Sequence, residues 1–377
     1  MNTPKLFACL LTLFSFTAAV QAATPHFPKE VALTGAVERY ISIDNVCAWP
    51  NLTVLKDGTI VAAIFNRPSH GLQEGSIEAW ASPDGRFWTK RGVVAPNDPN
   101  TNRMHVAAGL AKNGDLIAFS TGFSNEQQPG RPKQAPFRDL KMSAWVCRSN
   151  DGGYTWVQNK EFPASNDGWT TPTPFGDIIV GADGALHASC YQGKDNQPSG
   201  PGVHRDFRVA HFRSDDDGRT WRMNSVISAQ HNETSIFHLG GKKWMAAARQ
   251  EDDRAMDLFR SNDDGETWEG PQRVTGYHEL NADLARLKDG RLLLTYGNRS
   301  ERDNGPFGVL AKLSSDEGKT WSAPIRLAHS LGRDCGYPSS VQRPDGAIVT
   351  AYYSAGVQNH SRDHMGVVIW TAPAANP

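Results

Sequence analysis

The sequence predicts an all-β chain, a six-bladed β-propeller of four-stranded antiparallel blades, and three observations predict it. One turn is written four times in full, as SNDGGYTW (149–156), SDDDGRTW (214–221), SNDDGETW (261–268) and SSDEGKTW (314–321), and once in short form as SPDGRFW (82–88). Six further segments carry two short apolar runs around Asp-Gly, Asn-Gly or Gly-Gly, the sequence mark of a two-residue hairpin. The sixth hairpin is followed by HMGVVIWTA (364–372) and by no further turn.

The hairpins are NLTVLKDGTIVAAIF (51–65), AGLAKNGDLIAFST (108–121), DIIVGADGALHASCY (177–191), TSIFHLGGKKWMAAAR (234–249), ADLARLKDGRLLLTYG (282–297) and SSVQRPDGAIVTAYYS (339–354). They recur about every 50 to 70 residues, as units of a radial array do. After each of the first five comes another strand (SIEAWAS, MSAWVCRS, RVAHFRS, MDLFRS, VLAKLS), then the Asp-rich turn, then a short strand, so each unit holds four antiparallel strands. In the turn, Asp accepts backbone N–H bonds of its own loop, Gly supplies a positive φ, and Trp packs between neighbouring sheets. The repeated turn is therefore architectural. A ring needs a last outer strand in its sixth blade, and ERYISI (38–43), ahead of the first hairpin, is placed to supply it, since an open edge invites pairing with other chains.

With 39 Lys+Arg against 40 Asp+Glu, the chain has no basic surplus for nucleic acid and no polybasic run for an anionic membrane. Residues 1–22, MNTPKLFACLLTLFSFTAAVQA, put Lys5 before an apolar run that ends in small residues, the layout of a secretory leader, and the run is too short for a membrane span. The expected product is a single domain over 23–377, secreted or periplasmic and monomeric. Its remaining cysteines are Cys47, Cys147, Cys190 and Cys335, with no CxxC pair and no metal-ligand spacing, so neither a metal nor another cofactor is expected. Cys47 and Cys335 open the first and sixth units at equivalent places, which makes them neighbours and a candidate disulfide.

Both turn series lie at one end of the units, so strand 1 begins and strand 2 ends on the opposite face. Strand-1 starts bring Trp49, His105, Thr171, Glu233, Glu279 and Tyr337 there. Strand-2 exits bring Arg67, His70, Glu74, Tyr191, His204, Arg208, Arg249, Arg299 and Arg302. Two long polar loops, 122–141 and 192–208, open on the same face, where binding usually resides.

These motifs together resemble the sialidase superfamily of six-bladed Asp-box propellers, over essentially all of the sequence after the leader. The resemblance implies a Glu opening unit 4 and an Arg closing its second strand, which HNETSIFHLGGKKWMAAARQ supplies as Glu233 and Arg249. It implies a tyrosine nucleophile opening the last unit, which DCGYPSSVQRPDG supplies as Tyr337, and an arginine after strand 2 of unit 5, for which TYGNRSER offers Arg299 or Arg302. Two positions depart from the pattern. The family's first arginine precedes the proline of unit 1, where NVCAWPNL has Ala48 and Trp49; Arg67 in FNRPSHG is the substitute at hand. The acid/base position, usually Asp, is met in HGLQEGSIEAW by Glu74, with Glu78 as a poorer choice.

The chemistry follows from an acidic sugar. Arginines bind its carboxylate bidentately, and a carboxylate nucleophile would be repelled by it, so a neutral tyrosine deprotonated by an adjacent Glu is the workable alternative. Tyr337 with Glu233 is that pair, Glu74 the proton donor, and Arg249, Arg299, Arg302, Arg67, His105 and Trp49 the substrate contacts. The same residues permit plainer readings: Glu233–Arg249 as a structural ion pair, Trp49 as core, Tyr337 as a channel plug. Three functions stay open: a secreted exo-glycosidase of sialidase type acting on a glycan, a hydrolase or lyase of a uronic-acid-containing glycan, and a carbohydrate-binding propeller without catalysis.

Overall fold

The computed structural model describes residues 31–33, 35–160, 162–163, 167–194, 206–300 and 306–374. Residues 1–22, where a leader is expected, and Arg302 and His204 lie outside them. Among the described residues every regular element is a strand, and apart from the short Val31–Ala32 and the small antiparallel pair Phe123–Ser124 with Leu140–Lys141 the strands fall into six antiparallel meanders.

The first meander runs Asn51–Val54, Ile60–Phe65, Ile77–Ser82 and Thr89–Ala95. The second runs His105–Leu110, Leu116–Thr121, Trp145–Ser149 and Val157–Asn159. The third is Thr173–Val180, Leu186–Gly193, Phe207–Ser214 and Arg222–Ala229. The fourth is His231–Gly240, Lys243–Gln250, Met256–Ser261 and Glu269–Arg273. The fifth is Glu279–Arg286, Leu292–Asn298, Gly308–Ser314 and Ile325–His329. The sixth has Cys335–Gln342, Ile348–Val357 and His360–Trp370 from the end of the chain, and its outer strand is Glu38–Asp44 from the beginning, paired antiparallel to His360–Trp370. Val31–Ala32 adds a short parallel edge to the fifth meander at Ile325–Arg326.

Six separate four-stranded sheets are the expectation, and one point corrects it. The second and third meanders share a single eight-stranded sheet, because their innermost strands pair in parallel at Asp177–Ala108 and Ile178–Gly109. Gly109 permits the approach: a Cβ there would lie 2.0 Å from the carbonyl oxygen of Ile178. The arrangement is propeller-like. Apolar clusters bridge the second to the third, third to fourth, fourth to fifth and fifth to sixth meanders, and a further cluster joins the first to the second and sixth. Middle strands such as Leu292–Asn298 are accordingly buried at every position, whereas outer ones such as Glu269–Arg273 face water.

The Asp-rich turns behave as their chemistry requires. Asp151, Asp216, Asp263 and Asp316 accept bonds from the backbone N–H and hydroxyl of Thr155, Thr220, Thr267 and Thr320, while Gly153, Gly218, Gly265 and Gly318 all take positive φ. The Thr320 bonds hold Asp316 down to about 2. Trp221 packs edge-on against Phe119 of the preceding meander at 4.6 Å, the wedge between sheets that the motif implies.

The candidate disulfide between Cys47 and Cys335 is not formed. Cys47, Cys147, Cys190 and Cys335 are buried free thiols. The Cys335 sulfur is turned toward the fifth meander, 3.8 Å from Asn298 O and 3.9 Å from Gly308 O, so it is not aimed at a partner sulfur.

Candidate active site

A cavity of about 640 Å³ opens on the face away from the Asp-rich turns, lined by the starts of the innermost strands and the loop 122–141. Small backbone irregularities aim the strand starts into it. The register slips in meanders four, five and six, between His231 and Thr234, Leu280 and Asp283, and Gly336 and Ser339. Trp49, Asn281 and Tyr337 take left-handed backbone conformations, with φ of 46°, 60° and 48°. Such bulges turn a side chain out of the sheet's alternation, at a cost of about 1–3 kcal/mol each for non-glycine residues.

Tyr337 and Glu233, opening meanders six and four, meet across this cavity: the Tyr337 hydroxyl donates to Glu233 Oε1 at 2.5 Å. Arg249 Nη1 donates to the other oxygen, Oε2, and its Nη1 also reaches Asn281 Oδ1 at 3.4 Å. Burial, and then the Glu233 charge, push the Tyr337 hydroxyl well above its usual range, so the phenol is neutral and its proton points at a carboxylate. The three groups form one buried chain of proton donor, carboxylate and guanidinium, with Arg249 kept charged by Glu233 against the cost of burial.

Trp49 and His105 also line the cavity. The Trp49 indole sits 6.0 Å from the Tyr337 ring, 5.9 Å from Tyr353 and 4.9 Å edge-on from His70. It is therefore both core and wall, and its Nε1 is buried without a bond. His105 packs against Phe123 and Tyr191; burial, and then Lys141 and Arg138, hold its proton affinity well below the usual histidine range.

Three candidates are placed elsewhere. The Glu74 carboxylate accepts the Asn100 backbone N–H at 2.8 Å and is not part of the cavity wall, because its loop folds toward residues 98–102. Arg67 donates to the Glu74 carbonyl at 2.9 Å and likewise points away. Arg299 lies behind the wall: it donates to Cys335 O at 2.9 Å and to the Tyr353 hydroxyl, pairs with Asp334 at 3.3 Å, and lies over the Tyr337 ring at 5.6 Å.

Several wall residues escaped the sequence reading. Arg131, Arg138 and Lys141 come from the loop 122–141, whose length and polarity pointed to binding without singling out these side chains, and Arg254 follows Arg249 on the fourth meander. Burial, then the positive charges of Arg249, Arg299 and Arg333, lower the proton affinity of Arg254 below the usual arginine range, and burial with Arg333, Arg254, Arg249 and Arg299 brings His278 down to about 4. This mouth of the cavity is electropositive. At its floor Asp283 is held by the Ser340 N–H at 2.7 Å, and the nearby Asp177 accepts from Asn51 at 2.8 Å. Burial pushes Asp177 up to about 6, and burial with the Asp177 charge pushes Asp283 well above the carboxylate range.

Two described groups bring three ligand atoms within 4.8 Å of one another: Cys47, His70, Asp334 and Asp183, His187, Asp264. An arginine already occupies the carboxylates of each, Arg299 at Asp334 and Arg213 at Asp183 and Asp264, which argues against a cation in either.

With this geometry in hand, likeness to known proteins becomes decisive at the family level. A model of the BNR repeat-like domain matches residues 49–350. The chain belongs to the BNR repeat-like family. A sialidase of Micromonospora viridifaciens is 23% identical over 337 residues, covering 80% of this chain and 49% of that protein, so the chain spans about half the length of this curated relative. Among solved structures, a Dyadobacter fermentans protein of unknown function superposes with a TM-score of 0.76 at 21% identity, over 90% of this chain and 100% of that one. A Trypanosoma rangeli sialidase in complex with sialic acid gives 0.64 at 14% identity, over 90% and 59%. A Hadza microbial sialidase gives 0.65 at 16%, over 87% and 66%. The BNR repeat-like chain thus shares the sialidase-superfamily propeller fold.

Proposed function

We propose that this protein is a retaining exo-glycosidase that removes a terminal acidic sugar from a glycan through a covalent intermediate on Tyr337. The observation that carries the reading is the 2.5 Å hydrogen bond from the Tyr337 hydroxyl to Glu233 inside a cavity whose mouth is electropositive. In this reading Glu233 takes the phenol proton as Tyr337 Oη bonds to the anomeric carbon. Arg249 disperses charge on Glu233 and is one cation available to the sugar's carboxylate, with Arg254 another. The reading includes a ring of six blades closed by Glu38–Asp44, a leader at 1–22, export of a single domain over 23–377, and a monomeric enzyme.

Trapping tests it. A 2,3-difluoro derivative of sialic acid forms the covalent bond but hydrolyses slowly, so wild-type protein should gain one adduct, located on the peptide carrying Tyr337, and Tyr337→Phe should gain none. An adduct elsewhere, or equal labelling of the variant, overturns the assignment.

A second reading keeps the site and changes the sugar. Trp49 stands where the resemblance implies an arginine, and Arg299 lies behind the wall, so the cations at hand are Arg131, Arg138, Lys141, Arg249 and Arg254. That set suits a uronic acid equally, processed by hydrolysis or by elimination. A panel of sialylated, uronate-capped and neutral glycans separates the two, and an elimination product shows itself by the ultraviolet absorbance of its new double bond.

A further inference from the structure

Departure of a glycosidic oxygen needs a proton, and Glu74 faces away from the cavity. The acidic and histidine groups of the wall are nearly all committed. Glu233 serves Tyr337 and Arg249; Asp139 serves Lys133 and the Gln134 N–H; Glu251 accepts from Asn232; Asp283 is sealed at the floor by Ser340. His105 is buried against two cations. His70 differs from them all. Its side chain is 40% exposed at the cavity wall, edge-on to the same indole that packs against Tyr337. Its Nδ1 stands 3.0 Å from both oxygens of Asp334, and among the described residues its Nε2 has no hydrogen-bond partner.

We propose that His70 is the general acid and base of this site, with Asp334 as its positioning residue. The assignment rests on the glycosidase reading above and adds to it the proton donor. Asp334 is a dependable carboxylate: burial opposes its charge, but the His70 contact, Arg299 and the Tyr353 hydroxyl hold it down to about 2. It therefore accepts the Nδ1 hydrogen and leaves Nε2 for chemistry, as a carboxylate does for a catalytic imidazole. The backbone is fixed too, since Arg138 donates to the carbonyls of His70 and Gly71 at 3.0 Å each. The charged and titratable groups facing the ring are Cys47 ahead of the first meander, Asp334 and Asp363 from the sixth, Arg299 from the fifth, and Arg138 and His105 from the second.

The protons balance. As the bond from the anomeric carbon to the leaving oxygen breaks, Nε2 gives that oxygen its proton, Tyr337 Oη bonds to the carbon, and the phenol proton passes to Glu233. Water then attacks the carbon, Nε2 takes the water's proton, the carbon–Tyr337 bond breaks, and Glu233 returns the proton to Oη. Enzyme groups end as they began.

The test compares leaving groups. Wild type and His70→Asn are assayed on methyl and 4-methylumbelliferyl glycosides of N-acetylneuraminic acid and of glucuronic acid, with circular dichroism to confirm the fold. General acid catalysis contributes about 10²–10⁴-fold, so His70→Asn should lose that much in kcat/KM on the methyl glycosides and far less in kcat/KM on the umbelliferyl ones, whose leaving phenolate needs no proton, while kcat on the latter falls with the lost base. Added azide should restore turnover of the umbelliferyl substrates. Asp334→Asn should shift the pH profile while sparing KM. A uniform loss on both leaving groups, or none, overturns the role of His70 alone. Wild type that releases sugar from none of the four overturns the glycosidase reading and this assignment with it.

Discussion

The pair Asp177 and Asp283 at the cavity floor makes stability depend on pH in an unusual direction. Burial raises Asp177 from 3.8 to about 6, roughly two units, and one unit corresponds to about 1.4 kcal/mol. A carboxyl raised on folding contributes full stability below its unfolded value near 4 and loses it as pH climbs through about 6. From this group alone the fold should therefore give up about 3 kcal/mol between pH 4 and pH 7. Asp177→Asn keeps an oxygen for the Asn51 donor and removes the charge, so the variant should match wild type near pH 4 and exceed it by about 3 kcal/mol at pH 7.5. Urea unfolding followed by tryptophan fluorescence from pH 4 to 8 measures the difference, to which Asp283 adds in the same direction because the Asp177 charge that raises it is gone in the variant, while carboxylates away from this pair cancel. A difference that does not change with pH, or a variant weaker at pH 7.5 than at pH 4, refutes the argument from burial.

Other outcomes follow from the same contacts. Tyr337→Phe should abolish turnover and cost only about 1–3 kcal/mol, because the buried Glu233 loses one hydrogen-bond donor but keeps Arg249; differential scanning calorimetry beside an activity assay checks both. Arg249→Ala should destabilise by about 3–5 kcal/mol, because Glu233 is left buried without its cation, whereas Arg249→Lys should mainly raise KM for acidic substrates. Gly109→Ala should cost about 1–3 kcal/mol or more, since its Cβ meets Ile178 O at 2.0 Å; hydrogen exchange should show the loosening at the second and third meanders first. Burial pushes the Cys147 thiol up to about 12 and Cys335 up to about 11, so thiol reagents should find these cysteines unreactive until denaturant opens the fold, as a timed colorimetric titration would show.

What the sequence makes legible is what acts over a few residues. The Asp-rich turns and Asp-Gly hairpins are short-range chemistry, and they locate the strands, the two faces and hence Tyr337, Glu233 and Arg249 on one of them. Partnerships across the ring are another matter. His70 and Asp334 are 264 positions apart, and nothing near either residue names the other. Glu74 is nearer the strand end that suggested it, yet a loop is free to fold either way, and this one spends the carboxylate on the Asn100 N–H. Arg299 stands at its anticipated place in the chain and still faces the wrong side of the wall, because Asp334 and Tyr353 draw the guanidinium behind Tyr337. The disulfide is absent for a like reason: equivalent positions in two units do not fix where the side chains turn, and the Cys335 sulfur turns toward Asn298 and Gly308.

The strand Glu38–Asp44, seated beside His360–Trp370, carries a lesson about timing. This early strand pairs only with one made much later, and the neighbouring Val31–Ala32 waits for Ile325–Arg326 in the same way. The two segments act as a latch across two adjoining sheets, and the latch cannot engage until their distant partners have been made. A nascent chain must therefore carry this edge-forming segment unpaired through about three hundred residues of synthesis, a long exposure for a sequence suited to strand pairing. The finished molecule gains in return: pulling on either terminus loads the hydrogen bonds between its first and last strands together, so the ends fray only by opening the seam.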